Sequence, residues 1–262
     1  MPIAELNSVD CYYELHGEGE PLMLIGGLSS DSQSWQIVIN SLKGNFQVII
    51  FDNRGVGRTK YPDEPFDIAV MAEDAVKLLD YLGIQKADIL GHSMGGYIAQ
   101  EIAISRPERV NKLILECTAA FTSQRNKDLF NSLVQLCEID VPYELYLKEL
   151  IGWLFTPEFF EDKVKKDEFM KNALNYPYLQ TKEGFKRQVE AYAGYSSYEK
   201  AGSIQAGTLV LAAKKDILIL NNETELMASK IPNATVKYIE NAAHSLHIEE
   251  PKSFIDEIVK FG

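Results

Sequence analysis

The stretch Ile89-Leu90-Gly91-His92-Ser93-Met94-Gly95-Gly96-Tyr97 carries the chain's most suggestive chemistry. An apolar run leads into a serine with a glycine two residues to either side. Glycines at those positions lack the Cβ atoms that would block a tight strand-to-helix turn, and such a turn aims its serine outward from the end of a sheet. Serine is a poor nucleophile at neutral pH and needs a base within hydrogen-bond reach. Histidine suits that role, because its unperturbed pKa lies near the working pH. The chain has 4 histidines. His16 sits in an early turn. His92 adjoins Ser93, and neighbours in such a turn point apart, so it reads as a structural residue beside the elbow. His244 and His247 remain, in the loop after the last strand. Small residues before His244 let it approach the sheet edge, making it the candidate base, with His247, three residues on at the start of the final helix, as its neighbour or a ligand contact.

The base needs an acid to fix its tautomer and to stabilise the imidazolium. Asp216 follows a strand C-terminus, the reactive edge of an open parallel sheet. Glu116, at the end of the preceding strand, is the alternative. The order Ser93, Asp216, His244 is the one tied to this elbow architecture. A tetrahedral intermediate also needs two backbone donors, each typically worth ~10²–10³ in rate. The N–H of Met94 opens the helix after the serine and is one candidate. The N–H of Leu28, after Gly26-Gly27, is the other.

The elements that must position these groups follow from hydrophobic pattern. Cys11 to Leu15 and Pro21 to Ile25 read as two strands joined across His16-Gly17-Glu18-Gly19, neighbours at an antiparallel edge. Phe46 to Phe51 is continuously apolar and suits a parallel strand covered on both faces. Met71, Ala72, Ala75, Val76, Leu79 and Leu82 make one helical stripe, which Gly83 ends. Ala87 to Leu90, Lys112 to Cys117, Thr208 to Ala213 and Thr235 to Ile239 complete the strands. Helices span Met94 to Ser105 and Glu223 to Lys230, and a last one lies around Phe254, Ile255, Ile258 and Val259. Repeated strand–helix units imply a mostly parallel sheet of roughly eight strands, flanked by helices with right-handed crossovers.

Residues 119–206 interrupt this pattern. They hold no convincing strand, only helical segments broken at Pro142, Pro157, Pro177 and Gly184, yet they carry 15 of the chain's 27 aromatic residues. That surplus serves a small core of its own and the underside of a lid over an apolar pocket. The expected organisation is one α/β core from residues 1–118 and 207–262, with residues 119–206 as a helical cap inserted after the sixth strand. Gly27, His92, Trp153 and Phe155 are the candidate walls of the substrate site.

At 262 residues the chain can bury roughly three quarters of its unfolded surface without staples. Its 3 cysteines are odd in number and widely spaced, which fits free thiols better than a disulfide framework or zinc site. A net charge of −12 disfavours nucleic acid and anionic membranes. No apolar stretch approaches the ~20 residues of a membrane span, and Met1 to Leu6 lacks the marks of a signal peptide. The expectation is a cytoplasmic protein acting on a small molecule, without cofactor or metal.

These residues together resemble the α/β-hydrolase superfamily. The resemblance is carried by Gly26-Gly27-Leu28 with Trp35, Phe51 to Arg58, Gly91 to Gly96, Arg106 to Val110, Asp216, and His244 with Glu250-Pro251. Within it, the chain looks most like small bacterial capped esterases, carboxylesterase-type biotin-pathway enzymes and 3-oxoadipate enol-lactonases. The resemblance implies a Ser93–Asp216–His244 triad, an oxyanion hole at Leu28 and Met94, and a carboxylic ester or similar acyl substrate with an apolar group. Two departures stand out: Gly26 replaces the histidine of a common His-Gly pair, and Ala243 replaces a frequent glycine. Ser93 argues against the dehalogenases and epoxide hydrolases, which use aspartate. Perhydrolases, acyltransferases and carbon–carbon bond hydrolases share the triad, and a ligand-binding protein on the same fold is the alternative from another class.

Overall fold

The computed structural model describes every residue except Met1, Asn7 and Asp140. Its eight strands are β1 (Ile3–Leu6), β2 (Val9–His16), β3 (Glu20–Ile25), β4 (Phe46–Phe51), β5 (Ala87–His92), β6 (Val110–Glu116), β7 (Gly207–Ala213) and β8 (Ala234–Ile239). They form one sheet in the order β1-β2-β4-β3-β5-β6-β7-β8. The run from β4 to β8 is parallel throughout, while β1 and β2 join antiparallel.

The first two expected strands are not neighbours. β4 lies between β2 and β3 and pairs with both. The reason lies in β3 itself: Leu22 to Ile25 are fully buried, so the strand needs partners on both edges and cover on both faces. Gly17 and Gly19, at φ 76° and 121°, turn the chain so that β3 reaches the far side of β4. β1 was not foreseen.

Before the interruption come helices α1 (Gln36–Leu42), α2 (Ile68–Tyr81) and α3 (Met94–Ser105). Between β6 and β7 lie α4 (Gln124–Glu138), α5 (Tyr143–Leu154), α6 (Pro157–Glu161), α7 (Lys163–Leu174) and α8 (Lys182–Gly194). After β7 come α9 (Asn221–Lys230), α10 (Leu246–Glu249) and α11 (Pro251–Phe261). Alternation along the central strands feeds two cores. Met23, Ile25, Ile49, Phe51 and Ile89 pack with Met71 of α2 and Ile98 of α3. Leu22, Leu24, Val48, Ile50 and Leu90 pack with Val38 of α1 and with Phe254 and Ile258 of α11. A strand with both faces buried in this way reads as continuously apolar.

The block from α4 to α8 has a small core of its own, Leu147, Ile151 and Phe155 against Phe159, Phe160 and Phe169. Gly184, expected as a break, instead lies in the first turn of α8, where its N–H donates to the capping hydroxyl of Thr181 at 3.0 Å. His247 lies not in the last helix but in the single turn α10. Glu250 ends that turn and Pro251 opens α11. All three cysteines are free. Among the described residues, no helix is long and apolar enough to cross a membrane.

Candidate active site

Ser93 sits where β5 gives way to α3, at φ 55° and ψ −119°, a conformation that costs a non-glycine residue energy. Its surroundings hold it there. A Cβ on Gly91 would come within 2.2 Å of Gly95 O, and one on Gly95 within 2.1 Å of Ile25 O, so strand and helix touch at a distance that only glycine allows. Ser93 N–H donates to Glu116 O at 2.9 Å, and Thr118 Oγ1 donates to Ser93 O at 2.8 Å. β6 thus braces the turn from one side.

The loop after β3 braces it from the other. Asn53 Nδ2 donates to Gly26 O at 3.1 Å. Gly27 runs so close that a Cβ there would lie 3.1 Å from both Ser93 Cβ and His92 Nδ1. Gly27, Leu28, Ser93 and His244 all border one cavity of about 620 Å³, walled on its far side by α5, α7 and α8. The N–H of Met94 opens α3, where helix N–H groups lack internal partners.

Asp216 follows β7 and is buried. Its Oδ1 accepts the N–H groups of Leu218 and Ile219 at 2.8 and 2.9 Å, and its Oδ2 accepts His244 Nδ1–H at 2.9 Å. That bond leaves His244 Nε2 as the ring's unprotonated nitrogen, the one a hydroxyl could give its proton to. Glu116, the alternative acid, belongs to a second pair: its Oε1 accepts both the backbone N–H and the Nδ1–H of His247, at 3.1 and 2.8 Å. Burial works to raise the Glu116 pKa, but the charge of His247 and its hydrogen bonds outweigh it, so the carboxylate titrates below its ordinary range. Trp35 covers the His247 ring, centroid to centroid at 4.6 Å.

His92 lies between the two pairs, with ring centroids 4.9 Å from His244 and 5.0 Å from His247. Its Nε2–H donates to His244 O at 2.9 Å. Burial pushes its pKa down to about 3, so the ring stays neutral. His92, Glu116 and His247 have the donor types of a metal site, with ligand atoms within 4.8 Å of one another. The Glu116–His247 hydrogen bond already accounts for their closeness.

Phe155 borders the cavity, as do His92 and Gly27. Trp153 is not among the lining residues; its ring packs 6.0 Å from the Arg125 guanidinium. Of the cations near the carboxyl edge and in the helical block, Arg125, Lys127, Lys214 and Lys215 lie outside the lining, whereas Lys182 is in it. Sequence reasoning missed the polar end of the cavity, at Asp31, Gln33, Tyr176 and Gln180. There the Tyr176 hydroxyl donates to Asp31. No motif marked these residues.

A buried carboxylate–imidazole pair and a serine thus meet at the carboxyl edge of a parallel sheet, beside one cavity. The chain belongs to the alpha/beta hydrolase fold family, whose pattern it matches over residues 20–251. It is 28% identical over 263 residues to a protein of Azorhizobium caulinodans named "Putative carbamate hydrolase RutD", covering 100% of this chain and 98% of that one. Its fold superposes on the enol-lactonase of Burkholderia xenovorans with a TM-score of 0.91, at 23% identity and 99% coverage of both chains. A thermophilic esterase of Thermogutta terrifontis gives 0.86 at 26% identity, covering 97% of this chain and 93% of that one. Family and relatives together support hydrolysis as the activity.

Proposed function

We propose that the protein is a serine hydrolase that cleaves a carboxylic ester, or a similarly activated acyl group, through an acyl-enzyme. Ser93 is the nucleophile, His244 the base, Asp216 the acid that orients it, and the N–H groups of Leu28 and Met94 form the oxyanion hole. Residues 119–206 are the cap. The observation that carries this reading is the Asp216–His244 hydrogen bond beside a cavity that Ser93 also borders.

His244 Nε2 takes the Ser93 hydroxyl proton as Oγ bonds to the carbonyl carbon. The carbonyl oxygen becomes an oxyanion facing the two N–H groups. As the intermediate collapses, His244 returns the proton to the departing alcohol. Water then attacks the acyl-enzyme, giving His244 a proton that passes to Ser93 Oγ as the acid leaves.

The apolar side of the cavity, from Leu147, Ile151, Phe155 and Phe169, suits an apolar acyl or alcohol group. A carbamate, to which the Azorhizobium relative's name points, would react by the same steps. The aromatic wall favours a bulkier ester. Turnover of short p-nitrophenyl esters should vanish in Ser93→Ala, and a fluorophosphonate should label the parent chain at Ser93 alone. Full activity in the alanine variant would refute the mechanism. An unlabelled parent chain would favour a ligand-binding protein on the same fold.

A further inference from the structure

Both backbone segments that flank Ser93 across the cavity are hydrogen-bonded to the helical block. On one side, Ser29 directly follows Leu28 and is held at φ 65°. Its N–H donates to Gln188 Oε1 at 3.1 Å, and its hydroxyl donates to Gln180 Oε1 at 2.6 Å. Gln188 lies on α8 and is fully buried. Its Nε2 donates to Arg54 O at 2.9 Å, while its Oε1 also accepts Gln180 Nε2–H at 2.9 Å. One amide therefore ties α8 to two core loops.

On the other side, the residues before and after His244 are both engaged. Ser245 N–H donates to Leu154 O at 3.0 Å, at the end of α5. Ala243 N–H donates to Glu249 Oε2 at 2.8 Å. The other oxygen of the same carboxylate accepts the N–H and hydroxyl of Thr156, at 2.9 and 2.7 Å, where Thr156 caps α6. Glu249 thus spans from the loop of the base to the helical block, one oxygen in each. Bonds to an ionised carboxylate are roughly twice as strong as neutral ones.

We infer that Gln188 and Glu249 are positioning residues, through which the helical block holds the Leu28 N–H and the His244 ring in register with Ser93. The inference rests on the serine-hydrolase reading. Under it the block sets the rate of the chemical step as well as the fit of the substrate. Misplacing a catalytic group by ~1 Å costs on the order of 10²-fold, so loosening either loop should appear in kcat.

The test uses p-nitrophenyl acetate, with the smallest acyl group, beside the octanoate. Glu249→Gln turns an NH₂ group against one of its present donors. It should lower kcat on the acetate by about tenfold with KM little changed, and slow fluorophosphonate labelling by a similar factor. Gln188→Met, which removes both the acceptor for Ser29 N–H and the donor to Arg54 O, should do the same. Thermal unfolding of each variant checks that it is folded. If Gln188→Met is not, Glu249→Gln still decides. Parental kcat on the acetate with KM raised only on the octanoate would overturn the inference, leaving these bonds to seat the block and no more. A parent chain that neither turns over the acetate nor labels at Ser93 would instead overturn the hydrolase reading beneath it.

Discussion

Asp216→Asn and Glu116→Gln separate the two carboxylates by what each holds. Asp216 Oδ1 is fixed by two backbone donors, Leu218 and Ile219, at 2.8 and 2.9 Å. An asparagine placed there keeps its carbonyl oxygen on those donors, because turning it away would set NH₂ against two N–H groups. Its NH₂ must then face His244 Nδ1, which becomes an acceptor, and the ring proton moves to Nε2. In that tautomer His244 cannot take the Ser93 proton. Inverting the tautomer in a serine protease triad costs about 10⁴ in kcat, and the same loss here corresponds to ~5 kcal/mol of barrier. Glu116 differs: both His247 bonds go to Oε1, while among the described residues Oε2 has no partner. A glutamine keeps both bonds with its carbonyl oxygen and puts NH₂ where nothing is lost, so the rate should fall by less than about tenfold. The assay is kcat/KM on p-nitrophenyl acetate, with fluorophosphonate labelling as a check that Ser93 is still presented. A larger loss from Glu116→Gln than from Asp216→Asn would move the acid to β6 and refute the assignment of His244.

Acid should destabilise the fold through His92. Below about pH 6.5 the unfolded chain binds a proton that the folded ring refuses until about pH 3, so stability falls as pH drops through that window. Thermal unfolding followed from pH 7 to pH 4 should show a shallower decline in His92→Gln, and an unchanged slope would count against a neutral His92. Gly27→Ala should lower turnover and somewhat lower the melting temperature, because the new Cβ meets Ser93 Cβ and His92 Nδ1 at 3.1 Å; full activity would show that the loop yields freely. Phe155→Leu opens the apolar end of the cavity, where Phe155 stacks on Phe159 at 4.1 Å. It should shift preference toward longer acyl chains, read as kcat/KM across p-nitrophenyl esters, at about 1 kcal/mol of stability.

The parts of the fold legible in the sequence are those whose local pattern and global role agree. β5, the elbow and α3 needed only an apolar run and three glycines, and the contacts those glycines make leave no room for another residue. The α2 stripe was readable because Met71, Ala72, Ala75, Val76 and Leu79 all face one core. β1 was not readable: it has four residues, of which only Ala4 and Leu6 are buried. Strand pairing escaped as well, since a short loop looks alike whether its strands are neighbours or a third strand slips between them. Trp153 was misplaced because aromatic content counts rings without saying which face of a helix they occupy. Gln188 and Glu249 carry no pattern at all, because their partners lie 159 and 93 residues away.

The two carboxylate–imidazole pairs show why geometry at one bond does not identify a catalytic base. Asp216–His244 and Glu116–His247 have nearly the same length, 2.9 and 2.8 Å, and both follow strand ends. What differs is the rest of each ring. His247 lies against Trp35, and among the described residues its Nε2 is buried without a partner. Both rings border the cavity, but a buried Nε2 leaves His247 the less suited of the two to exchange a proton with substrate, and burying one unpaired nitrogen costs about 1–3 kcal/mol. The fold bears that cost beside a neutral His92, which in turn grips the carbonyl of His244. The second pair thus packs against the ring that bonds the loop of the first. His247→Phe keeps the ring stacked on Trp35 but leaves Glu116 ionised and unpaired, so it should cost several kcal/mol of stability. The double variant His247→Phe with Glu116→Leu should regain most of that loss, and urea unfolding of the two measures it. Equal stability in the single and double variants would show that Glu116 carries no buried charge there.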